Sequence, residues 1–212
     1  FFVGAASQGA ASATATFTTT SLTNGQTVTV IVTNASGCTV TSSGITITVD
    51  SLLPTVSSVT STAANGTYKI GDIIPITITF SETVNITGIP QLTLETGGID
   101  QIVDFTSVSG ATLTFDYTVQ AGDVSADLNY KATNSLALNL GTIKDIAGNN
   151  ATLTLPALAS ANSLGGSKAI VVDGVVPTVT NVSSTFANGY AKLGDLVPIT
   201  IIFTENVNVT GI

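Results

Sequence analysis

The chain has 212 residues, and only 8% of them are charged, with 13 carboxylates against five basic residues and no histidine. A net charge of −8 excludes a nucleic-acid-binding protein, because too few cations are present to neutralise phosphates. Catalysis is also not expected, since acid–base and nucleophilic sites mostly use histidine, an activated cysteine or paired carboxylates. The single cysteine, Cys38, reads as a small buried or half-buried residue and not as a reactive thiol. Every apolar run is far shorter than the ~20 residues of a membrane span.

Residues 1–49 read as the C-terminal part of a β module. Thr27–Thr33 alternates between valine and other residues, and Ile45–Val49 alternates in the same way. The loop Asn34–Gly37 between them has the composition of a hairpin turn. A preceding β domain therefore ends at about residue 49.

The segment Asp50–Pro54 (DSLLP) reads as a linker that opens a complete module over residues 50–172. Proline fixes φ and removes a backbone donor, which suits an edge strand entering a sandwich. Period-two alternation follows along most of the module, as expected for half-buried antiparallel strands. The predicted strands are Thr55–Thr60, Ile74–Phe80, Leu92–Leu94, a weaker one at Ile102–Asp104, and Ala111–Val119, with a turn at Asn65-Gly66.

The second half of this module is less regular. Ala121–Asn129 breaks the alternation and predicts a helical turn before a strand over Leu128–Thr133. We expect an extra hairpin within Asn134–Gly166 and a closing strand over Lys168–Val172. The fold predicted is all-β: antiparallel Greek-key sandwiches with Ig-like connectivity, somewhat larger than the usual ~100 residues.

A long repeat sets the domain organisation. Val172–Ile212 aligns on Val49–Ile89 without a gap, at an offset of 123 residues. A period of domain size indicates tandem modules. The chain then consists of one complete module at 50–172 and two partial ones, residues 1–49 and the N-terminal part of the next repeat at 173–212. Such an arrangement favours a stalk over an enzyme.

Calcium is the one cofactor that the residues suggest, because hard cations take oxygens from carboxylates, carbonyls and amides. Loops at one pole of the sandwich would bring five acids to the exit junction: Asp72, Asp123, Asp127, Asp173 and Glu205. The same reasoning places Asp50, Glu82, Asp145 and Asn149 at the preceding junction. The alternative is that these residues only form turns, in which Asp and Asn bond their own backbone.

Several motifs resemble a known family. They are DxxxPTVxxVxST, NGxYKxGD, PITITFSExVxxTG, LTLETGG, LTFDYTVQAGDxSxDLNY, GTIKDIAGNxATLTLP and IVVD. They resemble the tandem bacterial Ig-like (cadherin-like) repeats of giant cell-surface adhesins, including the gliding-motility adhesins of Bacteroidetes, across nearly all of residues 50–173 and again 173–212. The start of the chain resembles Ig-like or PKD-like modules of similar surface proteins. The linker departs from the commoner DTTAP form of the family.

The resemblance implies a stalk or filament segment that presents a distal binding region and bears load. It implies an extracellular, cell-surface location with export by type IX secretion, and junctions that bind calcium as cadherins do. Its partners would be neighbouring modules of the same chain, with surface polysaccharide or the export and motility machinery. The alternatives are a carbohydrate- or ice-binding β module and an accessory module of a secreted hydrolase. The first would need an aromatic platform or a flat threonine array, and the four tyrosines are scattered.

Overall fold

The computed structural model describes residues 1–8 and 16–211; residue 212 and the part of the first module at 9–15 lie outside the described residues. Among the described residues, strands form 41% and helix 2%, which confirms the predicted all-β class. The strands are β1 (Phe2–Val3), β2 (Ala6–Ser7), β3 (Thr27–Thr29), β4 (Ile31–Thr33), β5 (Thr39–Thr41), β6 (Ile45–Thr46), β7 (Val56–Ser61), β8 (Gly66–Lys69), β9 (Ile73–Phe80), β10 (Asn85–Thr87), β11 (Gln91–Glu95), β12 (Gln101–Ser109), β13 (Thr112–Thr118), β14 (Val124–Ser125), β15 (Asn129–Tyr130), β16 (Leu136–Ala137), β17 (Thr142–Lys144), β18 (Ile170–Asp173), β19 (Val179–Ser184) and β20 (Ile199–Phe203), with one short helix, α1 (Leu164–Ser167).

The largest sheet has seven strands in the order β15-β11-β12-β13-β9-β7, with β16 also paired to β11. Strand β12 joins its two halves: residues up to Asp104 pair with β11, and residues from Phe105 pair with β13. A bulge lies between Phe105 and Ser107. Because a bulge bends a strand and increases its twist, one long strand can serve both halves.

Smaller sheets complete the sandwich. Strand β18 pairs antiparallel with β14 and parallel with β8, and β10 pairs with β17. Side chains of the large sheet and of β17 and β18 form one hydrophobic cluster, whose buried members all lie between Val59 and Val172. The chain therefore forms an antiparallel β-sandwich around this cluster.

The alternating strands β9 and β13 supply the centre of the core. Ile74, Ile76 and Ile78 are fully buried, as are Leu113 and Phe115. The alternate residues of β9, Pro75, Thr77 and Thr79, are only half-buried. Each buried side chain of this size stabilises the fold by about 1.5–3 kcal/mol relative to exposure. The predicted inward and outward faces of both strands are confirmed.

The structure changes one local prediction for this module and refines two others. The predicted helical turn within residues 121–129 contains strand β14 instead, because Val124 and Ser125 pair with the distant strand β18. Strand β8 begins at Gly66, within the turn predicted at Asn65-Gly66, and Gly66 has a positive φ of 154°. The expected extra hairpin is present in short form, because Lys144 and Asn150 form an antiparallel bridge and the Ala151 N–H donates to the Ile143 carbonyl at 2.9 Å. At the end of the same segment, residues 164–167 form helix α1, capped by Ser163, whose side chain accepts a hydrogen bond from the Gly166 N–H.

The first module also differs in detail from its prediction. The run Thr27–Thr33 divides into β3 and β4, which belong to different sheets. The predicted hairpin turn closes β4 onto β5, with the Asn34 Oδ1 accepting from the N–H groups of Ser36 at 3.0 Å and Cys38 at 2.9 Å. Cys38 is exposed beside this turn, so the prediction that it is buried or half-buried was wrong.

The repeated sequence adopts the same strand pairing twice. Strand β7 pairs with β9 so that Val59 lies opposite Ile78, and β19 pairs with β20 so that Val182 lies opposite Ile201. The register shift after the first pair also occurs at equivalent positions, after Val56 and after Val179. The local sequence thus determines both the strand register and the position of the register shift. Within the part of the chain that the structure describes, no helix is long and apolar enough to cross a membrane.

Candidate metal centre

The linker before the complete module is folded as a turn. The Asp50 Oδ1 accepts a hydrogen bond from the Leu52 N–H at 3.0 Å. In the second linker, the Asp173 Oδ1 accepts from the Val175 N–H at 3.2 Å. Aspartate commonly bonds the backbone two residues ahead in this way. Both aspartates therefore hold the start of their linker in the same local shape.

Three carboxylates meet at the first linker. Asp50, Glu82 and Asp145 each contribute one oxygen, and these oxygens all lie within 4.8 Å of one another. Asp50 comes from the linker, Glu82 from the loop after β9, and Asp145 from the turn after β17. Asp145 is buried, with 3% of its surface exposed, whereas Asp50 and Glu82 are half-buried. The fold thus joins three distant parts of the sequence at one end of the module.

Asn149 forms hydrogen bonds to two parts of this cluster. Its backbone N–H donates to the Asp145 Oδ1 and its side-chain Nδ2 contacts the Asp145 Oδ2, both at 2.8 Å. The same Nδ2 lies 3.1 Å from the carbonyl oxygens of Asp50 and Leu52. The turn that carries Asp145 is consequently tied to the linker that carries Asp50.

The electrostatics of the cluster are unbalanced. Burial raises the pKa of Glu82, and the negative charges of Asp50 and Asp145 raise it further. Burial also acts to raise the pKa of Asp145, but hydrogen bonds from the Asn149 side chain and the backbone of the same turn outweigh it, and the pKa is lowered. Among the described residues, the lysine ion pairs involve other carboxylates, Asp72, Glu95 and Asp100. Within the described part of the chain, no lysine therefore forms an ion pair with the cluster.

The cluster has the donor type that a hard divalent cation requires. Ca²⁺ takes six to eight oxygens from carboxylates, carbonyls, amide side chains and water. A cation here would be held by Asp50, Glu82 and Asp145, and it would relieve the repulsion that raises the Glu82 pKa. The residues present fit such an ion.

The five acids predicted at the exit junction do not converge in the same way. Among the described residues, Asp50, Glu82 and Asp145 form the one group of three carboxylates whose oxygens all lie within 4.8 Å of one another. Asp72 forms an ion pair with Lys69 at 3.1 Å and accepts from the Lys69 N–H at 2.9 Å, and Asp127 is exposed. Asp173 and Glu205 border a cavity of about 380 Å³, which Lys69 also lines.

Asp123 has a different role from the others. Its carboxylate is 2% exposed and accepts hydrogen bonds from the Tyr117 hydroxyl at 2.6 Å, the Gln120 N–H at 2.8 Å and the Gln101 Nε2 at 2.8 Å. These partners occupy both carboxylate oxygens. Tyr117 and Asp123 lie in one quoted motif, LTFDYTVQAGDxSxDLNY, but sequence reasoning missed the network because it assigned Tyr117 to the core and Asp123 to the calcium site.

Comparison of the chain with known protein families, curated proteins and solved structures finds no match.

Proposed function

We propose that the chain is a stalk segment of a very large exported cell-surface adhesin, which extends a distal binding region from the cell and bears load. The observation that carries the proposal is the repeat, since the same strand register and the same linker turn recur at an offset of 123 residues. Tandem modules joined by short proline-containing linkers form extended arrays, because each module contacts mainly its neighbours.

The proposed location is extracellular, on the cell surface. The proposed partners are the neighbouring modules of the same chain, together with surface polysaccharide or the machinery for export and motility. Gliding motility and type IX secretion are the most specific form of this proposal, and the sequence resemblance supports them. The arrangement of tyrosines gives no support to a carbohydrate-binding platform, because Tyr117 and Tyr130 are buried in the core.

The proposal includes a Ca²⁺ ion at the first junction, held by Asp50, Glu82 and Asp145. Such an ion would connect the linker to two loops of the complete module and restrict the motion of the linker. The support is the convergence of the three carboxylates together with the raised pKa of Glu82.

Thermal unfolding with calcium and with excess chelator tests this ion. A ligand that binds only the folded state at 100 times its Kd stabilises that state by about 2.7 kcal/mol. We expect calcium to raise the Tm of the chain, and the Asp145→Asn variant to lose most of that increase. Asp116→Asn is the matched control, because Asp116 is an exposed strand carboxylate away from the cluster. An equal rise in Tm with calcium in both variants, or no rise in the unmodified chain, would contradict calcium binding by these three carboxylates.

A further inference from the structure

We infer that Gly174 locks the second linker to the module it leaves, so that backbone contacts set the direction of this linker without a cation. The inference rests on the proposed stalk function, because it identifies what stiffens one of the stalk's junctions. It concerns the segment where β18 passes into the linker Asp173–Pro177 (DGVVP).

The first residues of this linker are hydrogen-bonded to the complete module. Asp173 pairs with Val124 in the β14–β18 ladder. The Gly174 N–H donates to the Asp123 carbonyl at 2.7 Å, and the Gly174 carbonyl accepts from the Gly122 N–H at 2.8 Å. The linker therefore leaves the module only after Gly174.

Only glycine fits at this position. Gly174 is buried, and a Cβ atom there would lie 2.3 Å from the Gln120 carbonyl oxygen. It would also lie 2.7 Å and 2.8 Å from the carbonyl oxygen and amide nitrogen of Asp123. All three are backbone atoms, which cannot rotate away as a flexible side chain can. Any larger residue would displace the linker from the Gln120–Asp123 turn.

The turn that receives Gly174 is itself anchored. The buried Asp123 carboxylate accepts from the Tyr117 hydroxyl on β13 and from Gln101 on β12. Two central strands of the large sheet thus hold the turn in place. The hydrogen bonds of Gly174 therefore connect the linker to a turn that the large sheet holds in place.

The linker at the first junction is held by a different contact. The residue equivalent to Gly174 is Ser51, which is exposed. The Asn149 side chain of the following module contacts the linker there, at the carbonyls of Asp50 and Leu52. The Asn149 side chain thus holds the first linker to the module that follows it, and Gly174 holds the second linker to the module that precedes it.

Substitution at the two equivalent positions tests the lock in the full 212-residue chain. One variant is Gly174→Ser, which gives the second linker the residue of the first; Ser51→Ala is the matched control at an open position. Spin labels on cysteines at the exposed positions Asp116 and Ser183, with Cys38→Ser, report the distance across the second junction. Amide hydrogen exchange at Gly122 and Gly174 reports the two backbone bonds.

We expect Gly174→Ser to broaden the label distance distribution and to speed Gly122 exchange by about tenfold or more, because an opened hydrogen bond loses its protection. Ser51→Ala and a chelator should change neither quantity. An unchanged distribution in Gly174→Ser would overturn the lock. If that variant does not fold, hydrogen exchange of the unmodified chain tests the inference instead. Gly122 and Gly174 amides that exchange as fast as the Ser51 amide would then overturn it. If the label distances show modules folded back on one another while the Gly122 and Gly174 amides stay protected, the result contradicts the stalk but supports the hydrogen bonds of Gly174.

Discussion

The hydrogen bond between Tyr117 and Asp123 gives the sharpest stability prediction. The Tyr117 ring is 2% exposed, and its hydroxyl lies 2.6 Å from the Asp123 Oδ2. Burial, the hydrogen bond to Asp123 and the charge of Asp123 raise the pKa of the Tyr117 hydroxyl far above its usual value, so it remains a donor. A hydrogen bond to a charged group contributes about 1.5–3 kcal/mol. Since two partners of Asp123 remain in Tyr117→Phe, we expect this variant to lose about 2 kcal/mol.

Two other tyrosines serve as graded controls. The Tyr130 hydroxyl donates to the neutral Pro156 carbonyl at 2.5 Å, so Tyr130→Phe should cost about 1 kcal/mol. The Tyr68 hydroxyl donates to the Ala64 carbonyl in an exposed position, where water can replace it, and Tyr68→Phe should cost less than about 0.5 kcal/mol. Urea unfolding followed by circular dichroism measures all three, with an unchanged m-value as the check on two-state behaviour. Equal losses in the three variants would refute the reasoning from the buried carboxylate.

Three further predictions concern the core, a close backbone contact and the acid cluster. Phe115→Ala removes a fully buried ring and should cost about 3–5 kcal/mol in urea unfolding, whereas Phe17→Ala, outside the cluster of buried residues, should cost much less. Gly141→Ala places a Cβ 2.2 Å from the Thr87 carbonyl oxygen and should lower stability by about 1–3 kcal/mol; a loss below the error of the measurement would contradict the packing. The pKa of Glu82 is raised above 4.5, so in chelator its contribution to stability falls as pH rises from below 4.5 through the folded pKa, and Glu82→Gln should remove this part of the pH dependence. A Glu82→Gln profile that parallels the unmodified chain in chelator would contradict the raised pKa, which burial and the neighbouring carboxylates cause.

Much of the fold could be predicted because its strands are locally encoded. Strands β9 and β13 alternate strictly, and their inward residues are the ones found buried. The structure also places Asp50, Glu82 and Asp145 together, where the reasoning from loop positions expected them. That reasoning needed only the order of the strands and the pole at which each loop lies. Cation binding by these residues stays a prediction.

The remaining features depend on contacts between distant residues. Strand β8 is short, and its partner β18 lies about a hundred residues further along the chain, in a parallel pairing that no local pattern signals. The importance of Gly174 depends on the backbone of the Gln120–Asp123 turn, and in the sequence it reads as an ordinary linker glycine. The expected exit cluster failed to converge for a different reason: its acids bond to nearby residues, Asp123 to Tyr117 and Gln101 in the interior and Asp72 to Lys69.

Small-angle X-ray scattering of the chain, first with calcium and then with excess chelator, tests the stalk most directly. An array of tandem modules should give an elongated particle, with a maximum dimension well beyond that of a single sandwich. If the first junction binds calcium, the particle should become more flexible in chelator while it remains extended. A compact particle, with the modules folded back on one another in both conditions, would contradict the stalk.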